Sequence, residues 1–226
     1  MHDRMEATRR PGDRAGLDRA AVLAAARELA DAEGPDALTM RRLAAALGVM
    51  PNSLYSYFPS KAALLDDLLD SVLADVEVPD PESVTWTDGL ERLFAATRSV
   101  LLAHPGLVGA YTSRPALGPN AIRLGEATLA LLRRGGVEGR AAVHALRALL
   151  IFTLGFASFE APRRADPDPE ARSARGQAAF ASAPAESFPN TRRAAAHLGE
   201  HPTDVEFGAG LRWLVAGIAA DASAVA

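Results

Sequence analysis

The sequence predicts an all-α protein made of two helical units joined near residue 80. Three observations carry that expectation. Apolar residues recur at helical spacing in nearly every long segment, and cap and stop residues bracket those segments. No stretch shows the period-two alternation between turn signals that a strand requires. The chain has 226 residues, 49% of them apolar, which is ample material for a core. No internal repeat is evident.

The first element runs from Leu17 to Glu33. Asp18 is a natural N-cap, Leu17 can staple to Val22 across it, and Val22, Ala26, Leu29 and Ala30 share one face. Gly34 and Pro35 stop it. Thr39 caps a short second helix to Leu47, and Gly48-Val49-Met50 forms a tight turn into Pro51, a favoured first helical residue. The third helix spans Pro51 to Phe58 and Pro59 ends it. Ser60 then caps a long fourth helix, Lys61 to Val76.

Pro79 to Ser83 is a breaker segment and marks the boundary between a head over 17–78 and a body over 84–226. In the body, helices are expected from about Trp86 to Ala103, after Pro105, and from Pro119 to Arg134. A long, very apolar helix follows from Arg140 to Glu160. Residues 161–187, rich in Ala, Pro, Arg and Asp, read as a mobile loop. A short helix over Pro189–Leu198 follows. Thr203-Asp204-Val205-Glu206 is a capping box that opens the last helix, to about Asp221.

Two short helices joined by a glycine turn and braced by longer ones match a helix-turn-helix. The third helix can enter a major groove only if its outer face is small or polar. It offers Asn52, Ser53, Ser56 and Tyr57 outward and turns Leu54 and Phe58 inward. Arg41 and Lys61 stand at helix N-termini, where phosphate is already favoured. Thr39, Arg42, Pro51 and Tyr55 complete the candidate double-stranded DNA surface. Charge offers no basic blanket: the chain is −4 overall, with nine basic and eight acidic side chains in residues 1–63. Residues 1–16 read as a flexible, solvated arm, because Asp3, Glu6 and Asp13 interleave with its four arginines.

The strings Leu38-Thr39-Met40-Arg41-Arg42-Leu43-Ala44, Leu47-Gly48-Val49, Ser53-Leu54-Tyr55-Ser56-Tyr57-Phe58 and Lys61-Ala62-Ala63-Leu64-Leu65 strongly resemble the DNA-binding domain of the TetR family of repressors. The resemblance implies that Arg41 and Lys61 hold phosphates, that Tyr55 and Tyr57 line the DNA face, and that Asn52, Ser53 and Ser56 lie nearest the bases. It continues through Trp86-Thr87-Asp88, Leu101-Leu102-Ala103-His104, Ser113-Arg114-Pro115, Phe152-Thr153-Leu154-Gly155 and Phe207-Gly208-Ala209-Gly210-Leu211. These look like a C-terminal domain of the tetracycline-repressor type. The family's fold is an all-α dimer, joined through its last two long helices.

The places where tetracycline repressors hold a magnesium-bound drug correspond here to Glu77, Leu93, Ala110, Thr128 and Phe159, and with Leu93, Ala110, Thr128 and Phe159 at the chelating positions the metal-chelating character of the set is lost. No metal or other cofactor is therefore expected. The expected effector is a small organic molecule in a mostly apolar pocket. Its candidate walls are Phe94, Thr97, Tyr111, Phe152, Phe156 and Phe159, with Arg114 and Glu126 as polar anchors. Signals from it would pass through the fourth helix. Val143, Leu146, Leu150, Leu211, Leu214 and Ile218 are the expected homodimer contacts, since one domain has few places to hide so many apolar faces.

Other functions carry less weight. There is no cysteine, which excludes disulfides and thiolate chemistry. His197 to His201 spells a reversed zinc-protease pattern, but Gly199 interrupts the helix that chemistry needs and Pro202 follows at once. No set of nucleophile, base and oxyanion donors appears, so an enzyme is not expected. No apolar run reads as long enough for a membrane span and the N-terminus lacks a signal peptide, so a cytoplasmic location is expected. The alternative is a small-molecule-binding or enzymatic all-α protein with a vestigial DNA head.

Overall fold

The computed structural model describes residues 17–114, 116–164, 166–200 and 202–225. The N-terminal arm, Pro115 and the second histidine of the His197–His201 pair lie outside the described residues. Among the described residues there are twelve helices and no strand. The head holds α1 (Arg19–Glu33), α2 (Met40–Ala46), α3 (Pro51–Tyr55) and α4 (Lys61–Leu73). The body holds α5 (Trp86–Ala103), α6 (Pro105–Ser113), α7 (Pro119–Arg134), α8 (Gly139–Arg164), α9 (Pro169–Ala181), α10 (Pro189–Arg193), α11 (Ala195–Leu198) and α12 (Asp204–Val225).

Local chemistry starts the head helices where the sequence places them. Asp18 accepts from the Ala21 amide, Thr39 from Arg42 and Ser60 from Ala63, each satisfying a donor that the first turn leaves open. Such caps contribute about 1 kcal/mol apiece. Gly48 has φ +65°, a left-handed turn that a side chain would strain. α3 stops at Tyr55 and not at Phe58, because the chain tightens before Pro59: the Tyr57 and Phe58 amides both turn back to the Leu54 carbonyl. α4 similarly ends at Leu73, short of Val76.

The two units share one continuous core. In the head, Val22, Ala26, Leu38, Leu43, Leu54, Phe58, Leu64 and Leu68 are fully buried, and in the body Leu90, Leu93, Leu101, Leu107, Leu131 and Leu149 continue the same cluster. α1 packs on α6 so closely that a side chain at Gly106 would meet the Ala30 carbonyl.

The loop expected over 161–187 is instead mostly helix. α8 continues to Arg164 through Pro162, and α9 occupies Pro169–Ala181. The prolines and aspartates of this stretch look like breakers in the sequence, yet in the fold they are start signals. Asp168 caps the Ala171 amide, Pro169 takes the first helical position, and an alanine-rich run follows. α9 packs chiefly on α10 and α11, with the Gly176 and Gly199 backbones in close approach. α8 is also long and apolar enough to cross a membrane by length and composition, contrary to the expectation from sequence, and only 28% of its apolar window is buried within the chain.

Candidate functional site

α2, the Gly48 turn and α3 bring most of the expected DNA-facing residues to one exposed surface. Arg41, Asn52, Ser53, Tyr55 and Ser56 are exposed and Lys61 is half-buried at the start of α4. Among the described residues neither Arg41 nor Lys61 forms an ion pair, so both charges remain available to an anion. Met50, 74% exposed in the turn before α3, joins this surface. Its position in a turn gave no sequence signal; an apolar side chain there can meet a thymine methyl.

Two residues expected on the DNA face are engaged elsewhere. Tyr57 is half-buried, and its hydroxyl donates to the Leu17 carbonyl at 2.8 Å, so it ties the segment after α3 to the residues just before α1. Arg42 pairs with Glu33, which raises the guanidinium pKa above its ordinary value, and also donates to the Ala37 carbonyl. α1 is bound further by Arg19, which donates to the Tyr57 carbonyl at 2.6 Å, pairs with Asp67 and lies 4.3 Å above the Phe58 ring.

Behind the head lies a cavity of about 300 Å³ between α4, α5, α6, α7 and α8. Leu93, Phe94, Thr97, Leu101, Tyr111, Leu124, Gly125 and Thr128 line it, with Leu146, Leu150 and Leu154 from α8 and Arg114 at the end of α6. Of the residues expected from sequence, the walls Phe94, Thr97 and Tyr111 and the polar Arg114 are on this lining. Glu126 is not among the lining residues and stands exposed beside Gly125. Of the positions matched to the tetracycline site, Leu93 and Thr128 face the cavity and Glu77, Ala110 and Phe159 do not. No histidine, aspartate or glutamate lines the cavity among the described residues, and no cluster of metal-ligating side chains occurs among them.

The phenylalanines of α8 belong elsewhere. Phe152 and Phe156 lie 5.8 Å apart between ring centres and pack on Phe207 of α12 at 5.3 and 5.2 Å, and Gly210 makes room for the Phe152 ring. Arg98 lies 4.7 Å over the Phe207 ring and is buried with Glu160, donating to it at 2.7 and 2.9 Å. Asp204 and Arg164 close this knot from the surface, and Arg98 holds the Asp204 carboxyl below its ordinary pKa. Phe159 is exposed, under the Arg163 guanidinium. Helical periodicity groups Phe152, Phe156 and Phe159 but cannot say that the first two face α12 and the third stays open, with none of them on the cavity.

The expected dimer residues divide in the same way. Leu211 is core, Leu146 faces the cavity, and Leu150 borders the cavity while remaining 39% exposed. Leu214 and Ile218 are half-buried against the core, while Val143 remains exposed. The open apolar residues of α8 and α12 also include Ile151 at 68% and Trp213 at 76% exposure.

The cavity is wired to the head through α4. Asp70, buried on α4, accepts from the Asn120 and Ala121 amides and from the Asn120 side chain, so a residue of the head caps α7 in the body. A side chain at Gly118 would collide with that carboxylate. Tyr111 donates to the Leu69 carbonyl at 2.7 Å, and burial pushes its phenol well above the ordinary pKa. Arg123 donates to the Leu73, Ala74 and Val76 carbonyls at the end of α4. Arg114 donates to Asp66 at 2.7 Å and to the Ala62 carbonyl near its start. His104, at the α5–α6 junction, meets Asp31 of α1 at 2.7 Å.

Known proteins share both units. Residues 22–68 match the family model for bacterial regulatory proteins of the tetR family, and residues 78–222 match the tetracyclin repressor-like C-terminal domain. An HTH-type transcriptional regulator of Saccharopolyspora erythraea is 34% identical over 207 residues, 89% of this chain and 84% of that protein. The HTH-type transcriptional repressor DrrR1 of Streptomyces coeruleorubidus is 40% identical over 142 residues; the match takes in 62% of this chain but only 52% of that repressor. Apo ActR from Streptomyces coelicolor superposes with a TM-score of 0.86 at 33% identity, over 94% of this chain and 99% of ActR. ActR in complex with actinorhodin gives 0.85 at 34% identity, over 92% and 99%.

Proposed function

This chain belongs to the TetR family of bacterial regulatory proteins, and from that premise we propose that it is a repressor released from a palindromic operator by a small organic effector. One observation carries this reading: the walls of the cavity are the helices that hold α4, and α4 begins with Lys61 on the DNA side. A molecule that changes the cavity changes what α4 is tied to. Coupling of this kind requires the effector to prefer one setting of the head, since equal affinity for both shifts nothing.

Residues 17–78 act as the DNA-binding unit and 84–225 as the effector and dimer unit. Arg41 and Lys61 hold phosphates, with Thr39 and Pro51 shaping the helix starts beside them. Asn52, Ser53, Tyr55, Ser56 and Met50 meet base edges. Two copies join through the open apolar residues of α8 and α12, including Val143, Ile151 and Trp213, which explains a long apolar helix that is mostly uncovered within one chain. A partner copy, rather than a bilayer, covers that face, and the protein works in the cytoplasm where its DNA is. The effector is predominantly apolar and binds without a metal, because the cavity offers no ligating set among the described residues. ActR, solved with actinorhodin, is an example of a similar chain with an organic molecule bound.

Selection of bound sequences from random DNA tests the reading. The enriched site is expected to be palindromic with half-sites about one helical turn apart. Light scattering is expected to give twice the chain mass. Absence of any salt-sensitive DNA binding would refute the repressor and leave a small-molecule-binding protein with an inactive head.

A further inference from the structure

Among the described residues the cavity wall holds a single charged group, and that group is also a tie to the head. The other polar groups on the wall are already committed as donors. Thr97 donates to the Leu93 carbonyl and Thr128 to the Leu124 carbonyl, both at 2.8 Å, and Tyr111 donates to Leu69. Arg114 alone has donors to spare. Its guanidinium carries five N–H groups, of which Nε is on Asp66 and one Nη2 hydrogen is on the Ala62 carbonyl. Asp66 is half-exposed, and a pair in that setting is weakly held, so its partner can be exchanged at little cost.

We propose that the effector is an acid: an apolar, ring-sized body with one anionic group, which takes Arg114 from Asp66. This rests on the cavity being the effector site. A cationic molecule meets only Arg114 and hydroxyl lone pairs, and a neutral one gains nothing from the guanidinium that water does not supply. An anion pairs with Arg114 through the planar fork. The exchange frees Asp66 and the Ala62 carbonyl, and with them the first half of α4, from the end of α6. The ties farther along α4, through Leu69, Asp70 and the carbonyls that Arg123 holds, persist. The DNA-proximal half of α4 then gives up its anchor while the distal half keeps its own. Ligand chemistry and release are thus one event at one arginine.

A matched pair of fluorescent probes tests this: 8-anilino-1-naphthalenesulfonate, which carries a sulfonate, and N-phenyl-1-naphthylamine, its neutral counterpart. Both are titrated into the full-length protein. The sulfonate is expected to bind at least tenfold more tightly. Arg114→Met is expected to bring that ratio close to one while the neutral probe still binds. Asp66→Asn removes the competitor and is expected to tighten the sulfonate severalfold without changing the neutral probe. It also keeps the proposal falsifiable should the arginine variant misfold. Gly125→Leu, which projects into the cavity from α7, is expected to remove the signal of both. Binding of both probes with no anion preference, or a preference unchanged in Arg114→Met, overturns the exchange and leaves the cavity reading standing. Failure of both probes to bind, or signals that survive Gly125→Leu, overturn the cavity reading and the exchange together.

Discussion

Two of the arginine–carboxylate pairs that join distant parts of the chain differ in nearly everything that decides a role. Arg98 and Glu160 are both almost fully buried, joined by two hydrogen bonds, roofed by phenylalanine rings and closed by Asp204 and Arg164. Arg114 and Asp66 are 31% and 51% exposed, joined by one bond, and Arg114 borders a cavity. The first pair is shut in by rings and further charges. The second has spare donors and an open space beside it. Identical chemistry therefore yields a fixed joint in one place and an exchangeable tie in the other, and the difference lies in burial and satisfaction.

Breaking the buried pair is expected to have the largest effect. Glu160→Ala leaves Arg98 charged and without its main partner and should cost about 3–5 kcal/mol in urea unfolding, with DNA affinity measured on the remaining folded fraction little altered. A cost below about 1 kcal/mol, the range of exposed pairs, would make the two pairs alike and void the contrast. Asp70→Ala stands between them. It removes the cap of α7 that the head supplies, so about 1–2 kcal/mol of stability should go, and with it part of the coupling between cavity and DNA. Asp66→Asn should be smallest, with a melting temperature close to that of the wild type, because an exposed pair contributes little.

A change of pH probes the surface carboxylate that closes the buried knot. Arg98 holds the folded Asp204 carboxyl below its ordinary value of 3.8. A depressed acid contributes stability in full above its unfolded pKa and loses it as pH falls through the folded one. Asp204 is thus expected to stay ionised and its bridge intact at about pH 5. Carboxyl titration by NMR would show it, and an Asp204 midpoint above its ordinary value would contradict it.

On the DNA side, Lys61→Ala is expected to weaken binding to all sequences alike. It should lower the salt slope by about 0.9 for each phosphate it no longer neutralises. An unchanged slope would remove Lys61 from the phosphate set.

The head is readable in the sequence because its signals are local. Asp18, Thr39 and Ser60 each cap a helix within three residues, and Gly48 makes the turn between α2 and α3 by its own conformational freedom. The body is less legible because its signals are distant. Arg98 and Glu160 are 62 residues apart, and nothing near either one announces the other. α8 is apolar on several faces at once. Periodicity finds the helix but cannot assign Leu146 and Leu150 to the cavity, Phe152 and Phe156 to α12, or Ile151 to the open side. The sequence singles out Arg114 as a candidate polar group of the pocket, but its link to Asp66 depends on the packing of α6 against α4.

Everything proposed for the effector stands or falls on whether occupancy of the cavity governs the grip on DNA. Fluorescence anisotropy of a labelled, selected DNA fragment measures this, with and without saturating 8-anilino-1-naphthalenesulfonate, for the wild type and for Gly125→Leu. Each protein is compared with its own affinity in the absence of probe. The expected result is a weakening of roughly 5–150-fold in the wild type, the span of ordinary allosteric coupling, and none in Gly125→Leu. Probe fully bound to the wild type with DNA affinity unmoved, or equal weakening in both proteins, would mean that the cavity does not control the head.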